Sequence, residues 1–577
     1  MIRKLIFYIL CVSILFCTPV LVSGEEGKTA VPDAKDLLII SGVIQNAHGK
    51  PVKDTGLEFL MNGKTIELGK EITTSDSGVY EAEISLPAGT IPGSQIEVVA
   101  KKSSYKTQKT TLGDIARRGI DEKGNTVYLA HHRLVLSRAI SPAFWIATTI
   151  LLAVYVFIAF ELMHRTVAAM LGAALLLFIS YTAGTFYPDY FILSFESAMR
   201  AIDMNVIFLL MGMMIFVGVM KKTGVFQWMA YKAYQMARGN VFVLSGLLMF
   251  ITAFASAFLD NVTTMLLIIP VTIEIAITLK INPVAFLLPE VFAANVGGTA
   301  TLIGDPPNIM IGSYAGLTFM DFVKNLSVIC IICLVVTIIY YLYWYKKNYL
   351  KAKVDDVEKM ISYLRDEYKI TNKKLLTYCG FMLGFTIFLF IFHGALHMEV
   401  SIAALTGAMI LIAITKTNIV EIIEKEIEWP TLVFFIGLFI VVAGAEETGL
   451  IQIIADWVKD ASGGSLVVAT LMILWVSAIA SAFIDNIPFT ATMLPITAYL
   501  TNVIPGAESN VLWWALALGA CLGGNGTMIG ASANVVTVGM AERAGYPISF
   551  MYYIKAAAIP MIITIILCSG WLLLMAI

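Results

Sequence analysis

Ser256-Ala257-Phe258-Leu259-Asp260-Asn261 recurs 225 residues later as Ser481-Ala482-Phe483-Ile484-Asp485-Asn486. The same shift pairs Pro270 with Pro495, Gly212 with Gly437, and Lys221-Lys222-Thr223-Gly224 with Glu446-Glu447-Thr448-Gly449. After one inserted residue, Gly297-Gly298-Thr299 meets Gly523-Gly524-Asn525, and Gly304 through Asn308 meets Gly530 through Asn534. Coincidences in this fixed order amount to a duplication.

The duplicated sequence is built for lipid. Of 577 residues, 58% are hydrophobic and 14% charged, against roughly 25% charged in an average soluble protein. Runs at 144–160, 206–220, 329–345 and 561–577 are almost free of charge and approach the ~20 residues that cross a bilayer core. Their recurrence between short polar turns argues against one large soluble core. The pattern from residue 141 predicts ten spanning helices, near 142–162, 166–185, 204–220, 284–313, 324–345, 376–396, 400–416, 430–446, 510–540 and 549–576. Two further apolar stretches, 241–279 and 465–500, read as re-entrant hairpins, because Asp260-Asn261 and Asp485-Asn486 interrupt them where a continuous span avoids charge. Five crossings per half is an odd number, so the second copy enters the membrane inverted, as in many secondary transporters. The exchange of Lys221-Lys222 for Glu446-Glu447 suits that inversion.

The expected organisation is a signal peptide at 1–24, an exported β-sandwich at 25–138, membrane repeat 1 at 139–345, a cytoplasmic basic linker at 346–375 and membrane repeat 2 at 376–577. Arg3 and Lys4 precede an apolar run and then Ser23-Gly24, the pattern of a cleavable signal, with an uncleaved anchor as the alternative. Strands are predicted at 37–44, 56–61, 79–86, 95–100 and 126–136. With the sandwich outside, Lys221-Lys222 and the nine Lys/Arg of 346–374 fall in the cytoplasm, as the positive-inside rule asks. The acidic segment 421–428 falls on the same side, and acidic residues weigh little in that rule. The expected location is thus the inner or plasma membrane.

Other classes lack support. A net charge of −2 gives no basic nucleic-acid footprint, and neither a zinc-type Cys/His spacing nor a phosphate-binding P-loop is present. Seven cysteines all lie in apolar segments, so no disulfide framework is implied. No enzymatic constellation and no cofactor is expected, beyond Na⁺ or H⁺ as coupling ion. His164, His393 and His397 fall near helix ends and receive no role.

The candidate site lies where helix must break. Asn295-Val296-Gly297-Gly298-Thr299-Ala300-Thr301-Leu302-Ile303-Gly304-Asp305-Pro306-Pro307-Asn308 is matched by Gly523-Gly524-Asn525-Gly526-Thr527-Met528-Ile529-Gly530-Ala531-Ser532-Ala533-Asn534. Backbone freed from helix cannot face lipid and survives only around a cavity or inside protein. The expected substrate and ion ligands are Asp260, Asn261, Thr263, Thr264, Asn295, Gly297, Gly298, Thr299, Thr301, Asp305, Asn308, Asp485, Asn486, Thr490, Gly523, Gly524, Asn525, Thr527, Ser532 and Asn534. Freed carbonyls with Asn261, Thr299, Asn308, Asn486, Asn525 and Asn534 offer hard oxygen to Na⁺, while half-helix N-termini favour an anion or polar neutral solute. The alternative role for the glycines is close helix packing, with Asn and Thr bonding across helices.

Ala257 to Thr264, Leu302 to Asn308 and Ile484 to Met493 resemble motifs of the ion-transporter superfamily, most of all its arsenite-permease and P-protein (pink-eyed dilution) branch beside the sodium/proton antiporters. The resemblance covers roughly 140–577. It implies a scaffold, a mobile domain carrying hairpins and broken helices, a homodimer and elevator-like alternating access. Sodium–dicarboxylate relatives carry neutral residues at the hairpin tips, where this chain has Asp260 and Asp485. The N-terminal order Ser41-Gly42-Val43-Ile44, Gly49-Lys50-Pro51-Val52 and Ser75 to Tyr80 resembles transthyretin-like or carboxypeptidase-regulatory-like sandwiches, which implies an extracytoplasmic interaction module.

Asp260, Asp485 and Asp305 near the midplane repel a dianion unless protonated or paired with cations. Cation/proton exchange, or proton-linked movement of a small inorganic ion or neutral oxyacid such as arsenite, therefore ranks above citrate or succinate uptake. Asp260 or Asp485 is the expected proton switch. The rivals are a Na⁺/H⁺ antiporter, a sodium-coupled dicarboxylate or citrate carrier, an anion channel of the same architecture, and a non-transporting receptor that needs the sandwich for its function.

Overall fold

The computed structural model describes residues 35–576 except 47, 48, 50, 103, 122 and 353–356. The expected signal peptide, with Cys11 and Cys17, lies outside the described residues. The chain forms two compact units, 1–138 and 139–577.

In the first unit Leu38, Ile40 and Ile44 alternate inward along Lys35–Asn46 and are fully buried, the period-two pattern of a half-buried strand. One sheet runs in the order Val79–Pro87, Lys35–Asn46, Thr126–Leu136, Ile115–Ile120. Its central pair is parallel, with Ile40 opposite Ala130. The second sheet runs Lys64–Thr65, Gly56–Met61, Ile96–Lys101, Gln108–Thr111, with Ile72–Thr73 also on Gly56–Met61. Phe59, Tyr80, Val98 and Ala100 join the buried side chains of Lys35–Asn46 in the core. All five expected strands are present. Gln108–Thr111 and Ile115–Ile120 escaped the sequence reading because neither alternates apolar with polar residues, and the latter carries a bulge between Arg117 and Gly119.

The second unit is helical. Its repeated helices are α1 (Pro142–Ala159), α2 (Arg165–Tyr181), α3 (Met204–Lys221), α4 (Val225–Ala237), α5 (Val241–Ser256), α6 (Asn261–Thr278), α7 (Val284–Thr299), α8 (Pro306–Ala315) and α9 (Phe319–Trp344). They are followed by α10 (Lys373–Phe392), α11 (Val400–Thr415), α12 (Trp429–Thr448), α13 (Leu450–Ser462), α14 (Leu466–Phe483), α15 (Asn486–Val503), α16 (Val511–Gly523), α17 (Ser532–Arg543) and α18 (Phe550–Ala576). Each helix of the first nine has its counterpart nine places on, so the duplication seen in sequence is a duplication of structure.

Contacts repeat with the partners exchanged. α2 packs on α12, and its counterpart α11 packs on α3. α5 packs on α7 as α14 does on α16; α6 packs on α17 as α15 does on α8. The two halves are interlaced, each broken helix completing the hairpin of the other.

Nine helices among the described residues are long and apolar enough to cross a membrane. Seven match expected spans; the other two, α6 and α14, are hairpin arms. Of the remaining expected spans, 400–416 is the shorter α11, and 284–313 and 510–540 are split into α7 with α8 and α16 with α17. The ten residues of α8 measure about 15 Å at 1.5 Å per residue, half a ~30 Å hydrocarbon core, so α8 alone does not span it.

Lys221 and Lys222 pair with Glu426 at 3.1 Å and Glu421 at 2.8 Å, and the amide of Thr371 donates to the Thr223 carbonyl at 3.0 Å. The end of α3, the linker and the acidic segment 421–428 therefore share one face of the unit. Such exposed pairs add little stability.

Glycine at the repeat positions lets helices touch through backbone. A Cβ on Gly212 would sit 2.9 Å from the Ala404 carbonyl carbon, and one on Gly437 2.8 Å from that of Ala169. Gly437→Ala is expected to destabilise the purified protein by about 1–3 kcal/mol, the usual range for overpacking, read as a lower melting temperature in detergent. Gly380→Ala, where a Cβ meets nothing within 4 Å, is expected to leave it unchanged.

Candidate functional site

Four helix N-termini converge on one small cavity. Its lining takes in Asp260 to Val262 at the start of α6, Asp305 and Pro306 at the start of α8, Asn486 and Ile487 at the start of α15, and Ala531 to Ala533 at the start of α17. The cavity has a volume of about 30 Å³. Beside it lies a wider vestibule of about 630 Å³, bordered by Glu161, His164, Arg165, Val262, Glu428, Thr431, Asp485 and Ser532. Arg165, Val262, Glu428, Thr431 and Ser532 belong to both spaces.

The tips of the hairpins are capped by the aspartates picked out in the sequence. Asp260 Oδ1 accepts the Thr263 amide at 2.9 Å, and Asp485 Oδ1 accepts the Ile487 amide at 3.0 Å. A carboxylate at an N-cap satisfies otherwise orphaned amides and meets the positive end of the helix dipole. Asp305 stands at the N-cap of α8 without a capping bond, and Asn486 Nδ2 approaches both of its oxygens at 3.5 Å.

The breaks themselves are held by matched side chains. Asn308 Nδ2 donates to the carbonyls of Thr299 at 3.0 Å and Thr301 at 2.9 Å. Asn534 Nδ2 donates to those of Gly524 at 2.8 Å and Thr527 at 2.9 Å. Thr301 Oγ1 donates to the Ala257 carbonyl and Thr527 Oγ1 to the Ala482 carbonyl, tying each break to its own hairpin tip. A Cβ on Gly304 would come 2.6 Å from the carbonyl oxygens of Gly298 and Ser256, and one on Gly530 the same distance from those of Gly524 and Ser481. Gly297 and Gly523 similarly face the backbone of Ala253 and Ala478. Between the halves, Asn295 Nδ2 donates to Asn525 Oδ1 at 2.9 Å and Asn534 Oδ1 at 3.0 Å. Cys521, at the position matching Asn295, donates its thiol to Asn308 Oδ1 at 3.6 Å.

The twenty expected ligands thus divide. Asp260, Asn261, Asp305, Asp485, Asn486 and Ser532 line the cavity or vestibule. Thr299, Thr301, Asn308, Thr527, Asn534 and the glycines 297, 298, 523 and 524 shape the breaks, while Asn295 and Asn525 join them. Thr490 Oγ1 donates to the Asn486 carbonyl inside α15; Thr263 takes part through its backbone, and the Thr264 hydroxyl is buried without a partner. Asn261 Oδ1 accepts the Ser256 hydroxyl.

Sequence reasoning missed the cation. Arg165, the first residue of α2, ion-pairs with Asp485 Oδ2 at 3.4 Å and donates to Ser532 Oγ. Its other nitrogen donates to Thr431 Oγ1 at 3.1 Å, and that hydroxyl in turn lies 3.2 Å from Glu428 Oε2. Ser532 Oγ also donates to Asp485 Oδ2 at 2.9 Å. Arg165 sits beside His164 between two apolar runs and so read as a loop residue; a lone charge bordering such runs was the available signal. Glu428 falls in the acidic segment 421–428, which the sequence places on the cytoplasmic side and gives no part in the site. Arg165 also breaks the pseudo-symmetry, because the start of α11, its counterpart position, is Val400. His164 caps α2, accepting the Thr166 amide at 3.3 Å. His393 bridges the Phe319 amide and the Met398 carbonyl.

A family model described as a citrate transporter, CitMHS, matches residues 155–519. A protein of Mycobacterium tuberculosis described as an uncharacterized transporter is 42% identical over 428 residues, 74% of this chain and 97% of its own. The human P protein is 34% identical over 537 residues, with 80% of this chain and 63% of that protein aligned. A solved transporter of Alcanivorax borkumensis is similar over 72% of this chain and 98% of its own, at 13% identity and a TM-score of 0.49, a likeness too slight to inform the site. The chain belongs to the CitMHS family, and it is a multi-pass membrane transporter.

Asn308→Ala and Asn534→Ala each orphan carbonyls buried at a break. Each is expected to destabilise the protein by about 1–3 kcal/mol in thermal unfolding of the detergent-solubilised chain, whereas Asn502→Ala, whose amide meets only its own helix at Ala498, leaves unfolding unchanged.

Proposed function

We propose that the chain is a proton-coupled secondary transporter that moves a small inorganic anion or neutral oxyacid through the cavity between the hairpin tips. The observation that carries this reading is a charge imbalance. Asp260 and Asp305 line the small cavity, Asp485 lines the vestibule beside it and Glu428 borders both, as does the guanidinium of Arg165; Glu161 is exposed at the vestibule. Four helix N-termini, each equivalent to roughly half a positive charge, together with that guanidinium do not neutralise four carboxylates. Uncompensated charge away from water costs several kcal/mol per ion, so the carboxylates either keep at least one proton among them or ionise together with another cation bound.

The arrangement gives coupling a physical route. While ionised, Asp260 and Asp485 occupy the N-termini of α6 and α15 and, for Asp485, the guanidinium as well. A proton on Asp485 loosens its hold on Arg165 and Ser532, leaving a cation and free helix N-termini to receive an anion or oxyacid. Substrate entry then follows proton binding, and release of the proton expels the substrate. In this reading α5 to α9 and α14 to α18 move as a body against α1 to α3 and α10 to α12. The vestibule opens toward the cytoplasm, with the sandwich outside and the basic linker inside as the positive-inside rule favours.

A second reading is proton-linked uptake of citrate. The vestibule volume, the guanidinium on its wall and the description of the family support it, and the carboxylates at the cavity weigh against it unless they are protonated.

In proteoliposomes with an internal pH dye, arsenite, chloride or citrate is expected to drive proton movement, and Asp485→Asn to abolish it. Arg165→Gln is expected to lower it about tenfold or more, the loss of at least 1.4 kcal/mol of substrate or transition-state stabilisation. Proton movement triggered by Na⁺ or Li⁺ alone would establish cation/proton exchange instead. A response unchanged in Asp485→Asn and Asp260→Asn would reject these carboxylates as the coupling groups.

A further inference from the structure

We propose that Glu290 is a proton-binding site within the body that carries the hairpins, separate from the hairpin-tip carboxylates and loaded from the surface along a column of tyrosines; the proposal rests on the proton-coupled reading above. Glu290 lies on α7, ten residues before the break at 300–305, about 15 Å along a helix. Its side chain is fully buried. Oε1 accepts the Thr272 hydroxyl of α6 at 2.9 Å, and Oε2 has no partner. Among the described residues no lysine, arginine or histidine pairs with it.

A buried carboxylate with one hydrogen bond and no counter-charge is too costly to keep, so the group holds a proton. The matching position of the second repeat, in α16, is Leu516, which marks Glu290 as more than a by-product of the duplication.

The titratable groups around it are phenols. Glu290 lies within electrostatic range of Tyr349 OH, which bonds Ser245 Oγ at 2.8 Å and the Ala285 carbonyl at 2.7 Å. The ring of Tyr345 lies 6.2 Å from that of Tyr349 and 6.2 Å from that of Tyr341. Tyr552 OH donates to Tyr345 OH at 3.3 Å, and Tyr552 is 41% exposed. Buried Tyr553 completes the group on α18. The charged residues on the elements packed against α7 are Glu274 of α6, Asp321 and Lys324 of α9, Glu542 and Arg543 of α17, and the exposed Lys555 of α18. Tyr552 and Tyr345 share a hydroxyl–hydroxyl hydrogen bond; from Tyr345 to Tyr349 and from Tyr349 to Glu290 the proposed route needs hydroxyl rotation or a bridging water, each group giving one proton as it takes one so that no net charge rests between. The column ends beside α9 and the start of the linker, on the face that also carries Lys221 and Lys222.

The test is infrared difference spectroscopy of the full-length protein in liposomes across a pH series, which needs no substrate. A protonated-carboxyl band is expected that is absent in Glu290→Gln, shifts in Thr272→Val, and bleaches reversibly as pH rises. It is expected to persist in Asp260→Asn and Asp485→Asn, so that failure of the hairpin-tip carboxylates as coupling groups is read separately. After a pH jump, Tyr345→Phe and Tyr349→Phe are expected to slow the bleaching several-fold. No band lost in Glu290→Gln, or a band that persists at every pH at which the protein is folded, would overturn the site; unchanged kinetics in both tyrosine variants would overturn the route.

Discussion

Backbone broken inside an apolar interior has to find new hydrogen-bond partners, and this requirement organises the membrane unit. Each unsatisfied group costs several kcal/mol in hydrocarbon, so a break persists only where side chains are placed to meet it. Asn308 and Asn534 perform that service within their own repeats. Thr301 and Thr527 fasten each break to the hairpin beside it, and the glycines at 304 and 530 allow the approach. Asn295 and Cys521 then reach across to the other repeat. Because every one of these partners is internal, the four helix N-termini are left pointing at a common space, and a polar centre is available at a depth where lipid supplies none.

Duplication supplies the geometry of that centre, while departures from symmetry supply its chemistry. Asp260 and Asp485 occupy matched caps, yet among the described residues Asp485 alone of the two ion-pairs with a guanidinium, because Arg165 has Val400 as its counterpart. The two tips therefore differ in the charge they sustain. Arg165 belongs to α2, which packs on α12, whereas Asp485 and Ser532 begin α15 and α17. Tyr155 of α1 makes a similar link, donating to the Pro488 carbonyl at 2.7 Å and bonding Thr492. These polar contacts join the outer helices to the hairpin body, so any relative motion of the two has to break them and replace them.

Much of this was legible in the sequence because the signals were local or periodic. The 225-residue shift located both hairpins and both breaks, since Asp-Asn pairs and Gly-Gly or Pro-Pro steps are conspicuous in apolar runs. Alternation along 37–44 and 79–86 announced the sandwich strands. What the sequence concealed was partnership. Nothing local tells that Asn308 is spent on carbonyls while Asn261 borders the cavity, or that Arg165 folds back over hundreds of residues to meet Asp485. The strand at 115–120 was invisible because a bulged edge strand need not alternate. Glu290 carries no repeat signal, because the matching position of the second half is Leu516.

The central claim is that the hairpin body moves against the outer helices during transport. It is tested most directly by joining them: Tyr155→Cys with Thr492→Cys, bridged by a short thiol-reactive crosslinker in proteoliposomes. The account predicts that bridging stops substrate-driven proton movement and that reductive cleavage of the bridge restores it, with either single variant unaffected by the reagent. Transport at the full rate by the bridged protein would contradict it.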